Sequence, residues 1–280
     1  METRTISADT LEGFAAHLAE TERSGSTRSY YIRVARQFTA FAGGRPVTKQ
    51  LVIDFKDRLT GSGKYSASTV NTYLSALGSY LEYAGMRELK ARHIRVQKRV
   101  YASSGEELSK REYERMLLGT EPGSRMRMVL ETLAGSGIRV SELRSFTVEA
   151  VRRESFTVTN KGKTRDVILI PKLRKKLLSY AEKNGIRSGP IFRTKSGKPL
   201  GRSYIWAEMK KLAARSGVPP EKVFPHNLRK LFAREFYEIK KDIAKLADVL
   251  GHSNINTTRI YLLTSAKEHC RGMARMGLVT

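Results

Sequence analysis

Apolar side chains recur at three- and four-residue steps through the first third of the chain. Leu11, Phe14, Ala15 and Leu18 follow Asp9, and Tyr31, Val34, Phe38 and Phe41 follow Thr27. Val52, Phe55 and Leu59 repeat the pattern, as do Val70, Leu74, Leu77 and Leu81 between Ser66-Ala67-Ser68-Thr69 and Gly85. This spacing puts one apolar stripe on each segment, with Asp9, Thr27 and the Ser66 group as start signals. It predicts a four-helix module over residues 1–92.

Residues 91–104 break the pattern: they carry Arg92, Arg95, Lys98 and Arg99, no acidic residue and little helical apolar spacing. A basic linker over 93–106 is expected there, followed by a second domain over 107–280. Ser109-Lys110-Arg111-Glu112 has the spacing of a capping box ahead of Met116 and Leu117, and another helix is predicted from about Arg125 to Ala134. The period then shortens. Phe156-Thr157-Val158 and Val167-Ile168-Leu169-Ile170 are β-rich runs on either side of Asn160-Lys161-Gly162-Lys163, a hairpin with its turn at the lysines. Helices return over 173–181 before Asn184-Gly185, over 203–214 before Gly217, and from about His226 onward. The expected fold is mainly α with one small β-sheet.

Charge narrows the partners. Of 280 residues, 52 are Lys or Arg and 27 are Asp or Glu, a net +25. Both parts share the excess, with 16 basic and 9 acidic residues in 1–100 and 36 and 18 in 101–280. So basic a chain points to a polyanion, nucleic acid first. The single Cys270 can form no internal disulfide and rules out a thiolate zinc site, which fits a reducing cytosol. Arg4, Asp9, Glu12 and Glu20 interrupt the first twenty residues, and eighteen apolar residues nowhere run together. Neither a signal peptide nor a membrane span is expected.

Several candidates for chemistry lie at helix ends. His226 and Arg229 follow Pro225 at i and i+3, on one face near the positive end of a helix dipole, a geometry suited to phosphate. Arg139 follows the glycines of Gly135-Ser136-Gly137 where a new helix begins, and Leu250-Gly251-His252 closes another helix, with Tyr261 nine residues on. Taken singly, each has an ordinary structural use: a solvated arginine, a turn lysine, capping histidines, a packed tyrosine.

Taken together, they resemble the tyrosine recombinases, or phage integrase family. The matching residues are Arg139 in Gly-Ile-Arg-Val-Ser-Glu-Leu, Lys161 in the hairpin turn, His226 and Arg229 in His-Asn-Leu-Arg, His252 in Leu-Gly-His-Ser and Tyr261 in Thr-Thr-Arg-Ile-Tyr. Their order and separations make the match specific, and Ser-Thr-Val-Asn-Thr-Tyr-Leu-Ser-Ala-Leu in the helical module looks like part of the family's core-binding domain. The resemblance implies a four-helix, SAM-like core-binding domain and an α+β catalytic domain, with no separate arm-binding domain ahead of them.

It also implies the chemistry. Tyr261 would attack a scissile phosphate and form a 3′-phosphotyrosyl bond, with Arg139 and Arg229 matching charge on the non-bridging oxygens. Lys161 would protonate the 5′-oxygen, with Lys163 two residues away as the alternative; His226 would assist as acid/base, and His252 would donate to the phosphate. No metal or cofactor is implied. Position 230 is a departure, Lys where many members have a second histidine. The implied partners are double-stranded DNA with inverted-repeat core sites and a homotetramer on paired sites, joined through a Holliday junction, with the tail over 266–276 packing into a neighbour. No membrane is implied, and a cytoplasmic, nucleoid-associated protein is expected. The biological use reads as integration and excision of a mobile element, against Xer-like chromosome or plasmid dimer resolution or DNA inversion. A topoisomerase-type relaxing enzyme and a cleavage-silent DNA-binding protein of the same fold are the other readings.

Overall fold

The computed structural model describes residues 5–6, 8–97, 105, 107–160, 162–262 and 274. The chain divides into two compact units, Met1–Lys98 and Arg99–Thr280.

The first unit is built from α1 (Ala8–Glu20), α2 (Gly25–Ala42), α3 (Lys49–Gly61) and α4 (Ala67–Tyr83). α4 is its centre: Val70, Tyr73, Leu74, Ala76, Leu77, Tyr80 and Leu81 are all buried. They pack with Phe14 and Leu18 of α1, Val34 and Phe38 of α2, and Val52 and Phe55 of α3. Phe38 and Phe55 meet edge-on, their centroids 5.3 Å apart. Two start signals differ from the sequence expectation. The α2 cap is Ser24, whose side chain accepts the Thr27 backbone N–H, so Thr27 is the third helical residue. Asp9 lies inside the first turn of α1, where a carboxylate meets the positive end of the dipole.

Residues 93–97 form no helix or strand, but His93 and Ile94 are bonded to this unit. The Asn71 side chain donates to the Ile94 carbonyl and accepts the Ile94 N–H, both at 2.8 Å, and Ser75 bonds the His93 ring. The Asn71 side chain thereby supplies the pairing that the Ile94 backbone, outside any helix or strand, would otherwise lack.

The second unit runs α5 (Lys110–Leu118), α6 (Arg125–Ser136), a 3-10 segment (Val140–Ser145), α7 (Val148–Val151), β1 (Ser155–Asn160), β2 (Lys163–Ile168), α8 (Pro171–Lys183), α9 (Arg202–Arg215), α10 (Pro225–Lys240), α11 (Ile243–Leu250) and α12 (Ile255–Tyr261). The Ser109–Glu112 capping box is formed as expected. α6 is buried on more than one side through Met128, Val129, Leu130 and Leu133, and its interior hydroxyls Thr132 and Ser136 bond back to the carbonyls of Met128 and Thr132. β1 and β2 form an antiparallel pair, with Phe156 opposite Val167 and Val158 opposite Arg165. Phe156, Val158 and Val167 are buried, which puts Arg165 on the inward face. The strand ends sooner than the apolar run, and Ile168 and Ile170 are exposed. A smaller cluster of Ala233, Leu246, Leu250 and Tyr261 joins α10, α11 and α12. Among the described residues no helix is long and apolar enough to cross a membrane.

Candidate active site

Arg229 is the centre of the site. It sits one turn into α10, which opens on the extended residue Phe224 and Pro225, and it is only 1% exposed. A guanidinium that deep is tolerable only if its donors are met. One terminal nitrogen donates to the Gly137 carbonyl at the end of α6. The other donates to the Leu250 carbonyl at the end of α11 (2.6 Å) and to Nε2 of His252 (3.0 Å). Two helix C-termini, each carrying partial negative charge, thus converge on one cation. Burial, and then Arg139, lower the Arg229 pKa to about 10; the Tyr261 hydroxyl opposes the shift, and the group stays charged at neutral pH. Nε of Arg229 is buried with no partner among the described residues.

Both helix ends depend on glycine. Gly137 and Gly251 take left-handed φ values of 60° and 65° as the caps of α6 and α11. A Cβ on Gly137 would overlap the Phe232 ring, and one on Gly251 would overlap Cδ of Arg165.

Arg139 is the cap residue of the 3-10 segment, two residues beyond Gly137, with a side chain 36% exposed. It is held by the buried Glu142, which accepts the Arg139 backbone N–H on Oε2 at 2.8 Å and Nη1 on Oε1 at 3.2 Å. Arg165 donates to the same Oε2 at 2.8 Å. Burial pushes the Glu142 carboxyl upward, but the Arg139 amide and the guanidiniums of Arg165 and Arg139 outweigh it and hold the pKa below the usual carboxylate range.

Tyr261, the last residue of α12, is buried between two imidazoles. Its ring meets His226 edge-on at 5.1 Å and His252 at 5.2 Å. His252 bonds Thr258, one turn before Tyr261, through Nδ1 at 2.9 Å. Because Arg229 can only donate, Nε2 of His252 is the acceptor and Nδ1 carries the proton to Thr258. The ring is neutral: burial, and then Arg229, lower its pKa to about 4. His226 is pushed below its ordinary value by burial, then by Lys230, Arg229 and Arg139.

Of the six residues singled out in the sequence, the structure brings Arg139, His226, Arg229, His252 and Tyr261 into one site; Lys161 lies outside the described residues, as does the tail over 266–276 except position 274. Lys230 is turned toward Glu107, with Nζ 3.8 Å from Oε1, and Glu107 also pairs with Arg234. Sequence reading missed the supporting roles of Glu142, Arg165 and Thr258. An arginine on the inward register of an otherwise apolar hairpin was the available signal for Arg165. Among the described residues no group of three or more His, Cys, Asp or Glu is placed to hold a metal. The arrangement sets a phenol between two neutral imidazoles and beside the Arg229 guanidinium, with Arg139 close enough to act on the same groups electrostatically.

The phage integrase family model matches residues 106–268. The chain therefore belongs to the phage integrase family, the tyrosine-type site-specific recombinases. Tyrosine recombinase XerA of Pyrococcus furiosus is 27% identical over 290 residues, covering 100% of this chain and 98% of the relative. Among solved structures, a lambda integrase (residues 75–356) dimer bound to a COC′ core site has a TM-score of 0.73 at 17% identity, covering 90% of this chain and 94% of that one. A lambda integrase tetramer bound to a Holliday junction has a TM-score of 0.72 at 17% identity, covering 90% and 76%.

Proposed function

We propose that this chain cuts and rejoins duplex DNA with Tyr261 as the nucleophile. The phenolic oxygen attacks the scissile phosphorus, the bond from phosphorus to the 5′-oxygen breaks, and a 3′-phosphotyrosyl ester and a 5′-hydroxyl result. The ester keeps the phosphodiester energy for rejoining. His226, neutral and in ring contact with Tyr261, takes the phenolic proton. Arg229 and Arg139 receive the charge gathering on the non-bridging oxygens, and Arg229, already fixed between two helix ends, does so with little reorganisation. Lys161 of the hairpin turn supplies the proton to the leaving 5′-oxygen, Lys163 being the other candidate. An arriving phosphate takes the Arg229 donor that now serves His252; the anion raises the imidazole's proton affinity, Nε2 takes up a proton from solvent, and the imidazolium donates through it to the phosphate.

The carrying observation is the enclosure of Tyr261 by His226, His252 and Arg229 within one chain. On a nicked suicide substrate carrying the target site, the wild type accumulates a covalent protein–DNA adduct and Tyr261→Phe accumulates none. No adduct with the wild type on a site that it binds would defeat this reading and leave a cleavage-silent DNA-binding protein.

The substrate we infer is a pair of inverted-repeat core sites bound by four copies, exchanged strand by strand through a Holliday junction, as the DNA complexes of lambda integrase suggest by analogy. The use we infer is integration and excision of a mobile element. The end-to-end match to XerA favours a second use, resolution of circular dimers. Footprinting on candidate inverted repeats, followed by a plasmid assay with the sites in each orientation, separates the two.

A further inference from the structure

Arg165 belongs to none of the motifs that mark the site, yet from β2 it reaches two other elements of it, the 3-10 segment and the end of α11. From the inward face of β2, Nη2 donates to Oε2 of Glu142 and Nη1 donates to the Val249 carbonyl at 2.9 Å, two residues before the turn that presents His252. Its side chain is 10% exposed, and Nε is buried without a partner among the described residues. Gly251 has no side chain where Cδ of Arg165 passes. The guanidinium is thus threaded past a left-handed glycine to reach a carbonyl and a buried carboxylate. A surface ion pair would not need that clearance.

The charge arrangement at Glu142 gives this placement a consequence. One carboxylate serves two guanidiniums. Arg165 makes the shorter side-chain bond, 2.8 Å against 3.2 Å for Arg139, whose side chain reaches Glu142 through Nη1 alone. With Arg165 present, a net positive charge remains for a phosphate, and the other donors of Arg139 are uncommitted to Glu142. Without it, Glu142 and Arg139 form a closed one-to-one pair.

We propose that Arg165 is a positioning residue for cleavage, holding the His252 turn in register and satisfying Glu142 so that Arg139 stays available to the scissile phosphate. This rests on the recombinase reading above. The test is the first-order rate of adduct formation at saturating suicide substrate, with DNA affinity measured separately. Arg165→Met is expected to slow the rate at least ~10-fold, the scale of loss when a catalytic group is misplaced, with Kd unchanged within about 2-fold because so buried a side chain contributes little to binding. Adding Glu142→Gln removes the carboxylate that captures Arg139, and should restore part of the Arg165→Met loss instead of deepening it. Arg165→Lys keeps the charge but lacks the fork that spans Glu142 and Val249, and should fall between wild type and Arg165→Met.

A wild-type rate in Arg165→Met, a rate loss matched by an equal loss of affinity, or additive losses in the double variant would each overturn the proposal. Should Arg165→Met fail to fold, Arg165→Lys decides it, a wild-type rate counting against. Failure of the wild type itself to form adduct would instead strike the recombinase reading.

Discussion

His252 is set as a neutral base whose one acceptor is already occupied. Its folded pKa of about 4 lies below the ordinary 6.5, and His226 is displaced in the same direction. Above pH 6.5 neither the folded nor the unfolded His252 binds a proton. Between 6.5 and 4 the unfolded chain binds one and the folded chain does not, so stability falls as pH drops through that window. The urea midpoint of the DNA-free protein should therefore decline from pH 7 toward 5, and less steeply in His252→Asn. Equal slopes in the two proteins would show that the depression is not there. At the same scale, the site was legible in the sequence only where a residue type is unusual for its place. Arg139, His226, Arg229, His252 and Tyr261 stand at helix ends in a telling order. Thr258 and Glu142 look like any helix threonine and any third-turn-position glutamate, and only folding reveals what they hold.

The elements themselves were more legible than their ends. Apolar spacing marks all four helices of the first unit because each buries a stripe of its own, and the Ser109–Glu112 box fixes the start of α5 because both reciprocal partners are present. At the start of α2 three hydroxyl residues, Ser24, Ser26 and Thr27, compete for one role, and composition cannot rank them; the structure gives it to Ser24. Residues 93–97 carry no apolar period, yet Asn71 binds Ile94 to α4. The ends that matter most for the site are the glycine caps. Gly251→Ala is expected to cost about 1–3 kcal/mol from strained backbone and overpacking together. Gly217→Ala has a similar φ of 60° but nothing within 4 Å of the added carbon, so it should cost less, about 1 kcal/mol. Denaturant midpoints measure both, and equal losses would mean that the Arg165 overlap relaxes freely.

At the scale of the whole molecule, two units with separate cores share a net charge of +25. Charge spread over a surface binds DNA by releasing counterions, so affinity should collapse with salt, by roughly 10³–10⁵ between 50 and 200 mM if six to ten phosphates are contacted. The buried Arg229 is shielded from mobile ions and should act almost independently of them. Adduct formation measured at saturating DNA across the same range is expected to change far less than Kd. A parallel fall would show that Arg229 is screened like the surface charges.

The enclosure of Tyr261 by its own chain's histidines and arginine also bears on how a gathering of identical copies could share labour. On the proposed reading of Tyr261 as nucleophile, no copy borrows that phenol from its neighbour. Any order among several cuts would then come from restraint, copies being held back until their turn, since each one carries its own tyrosine.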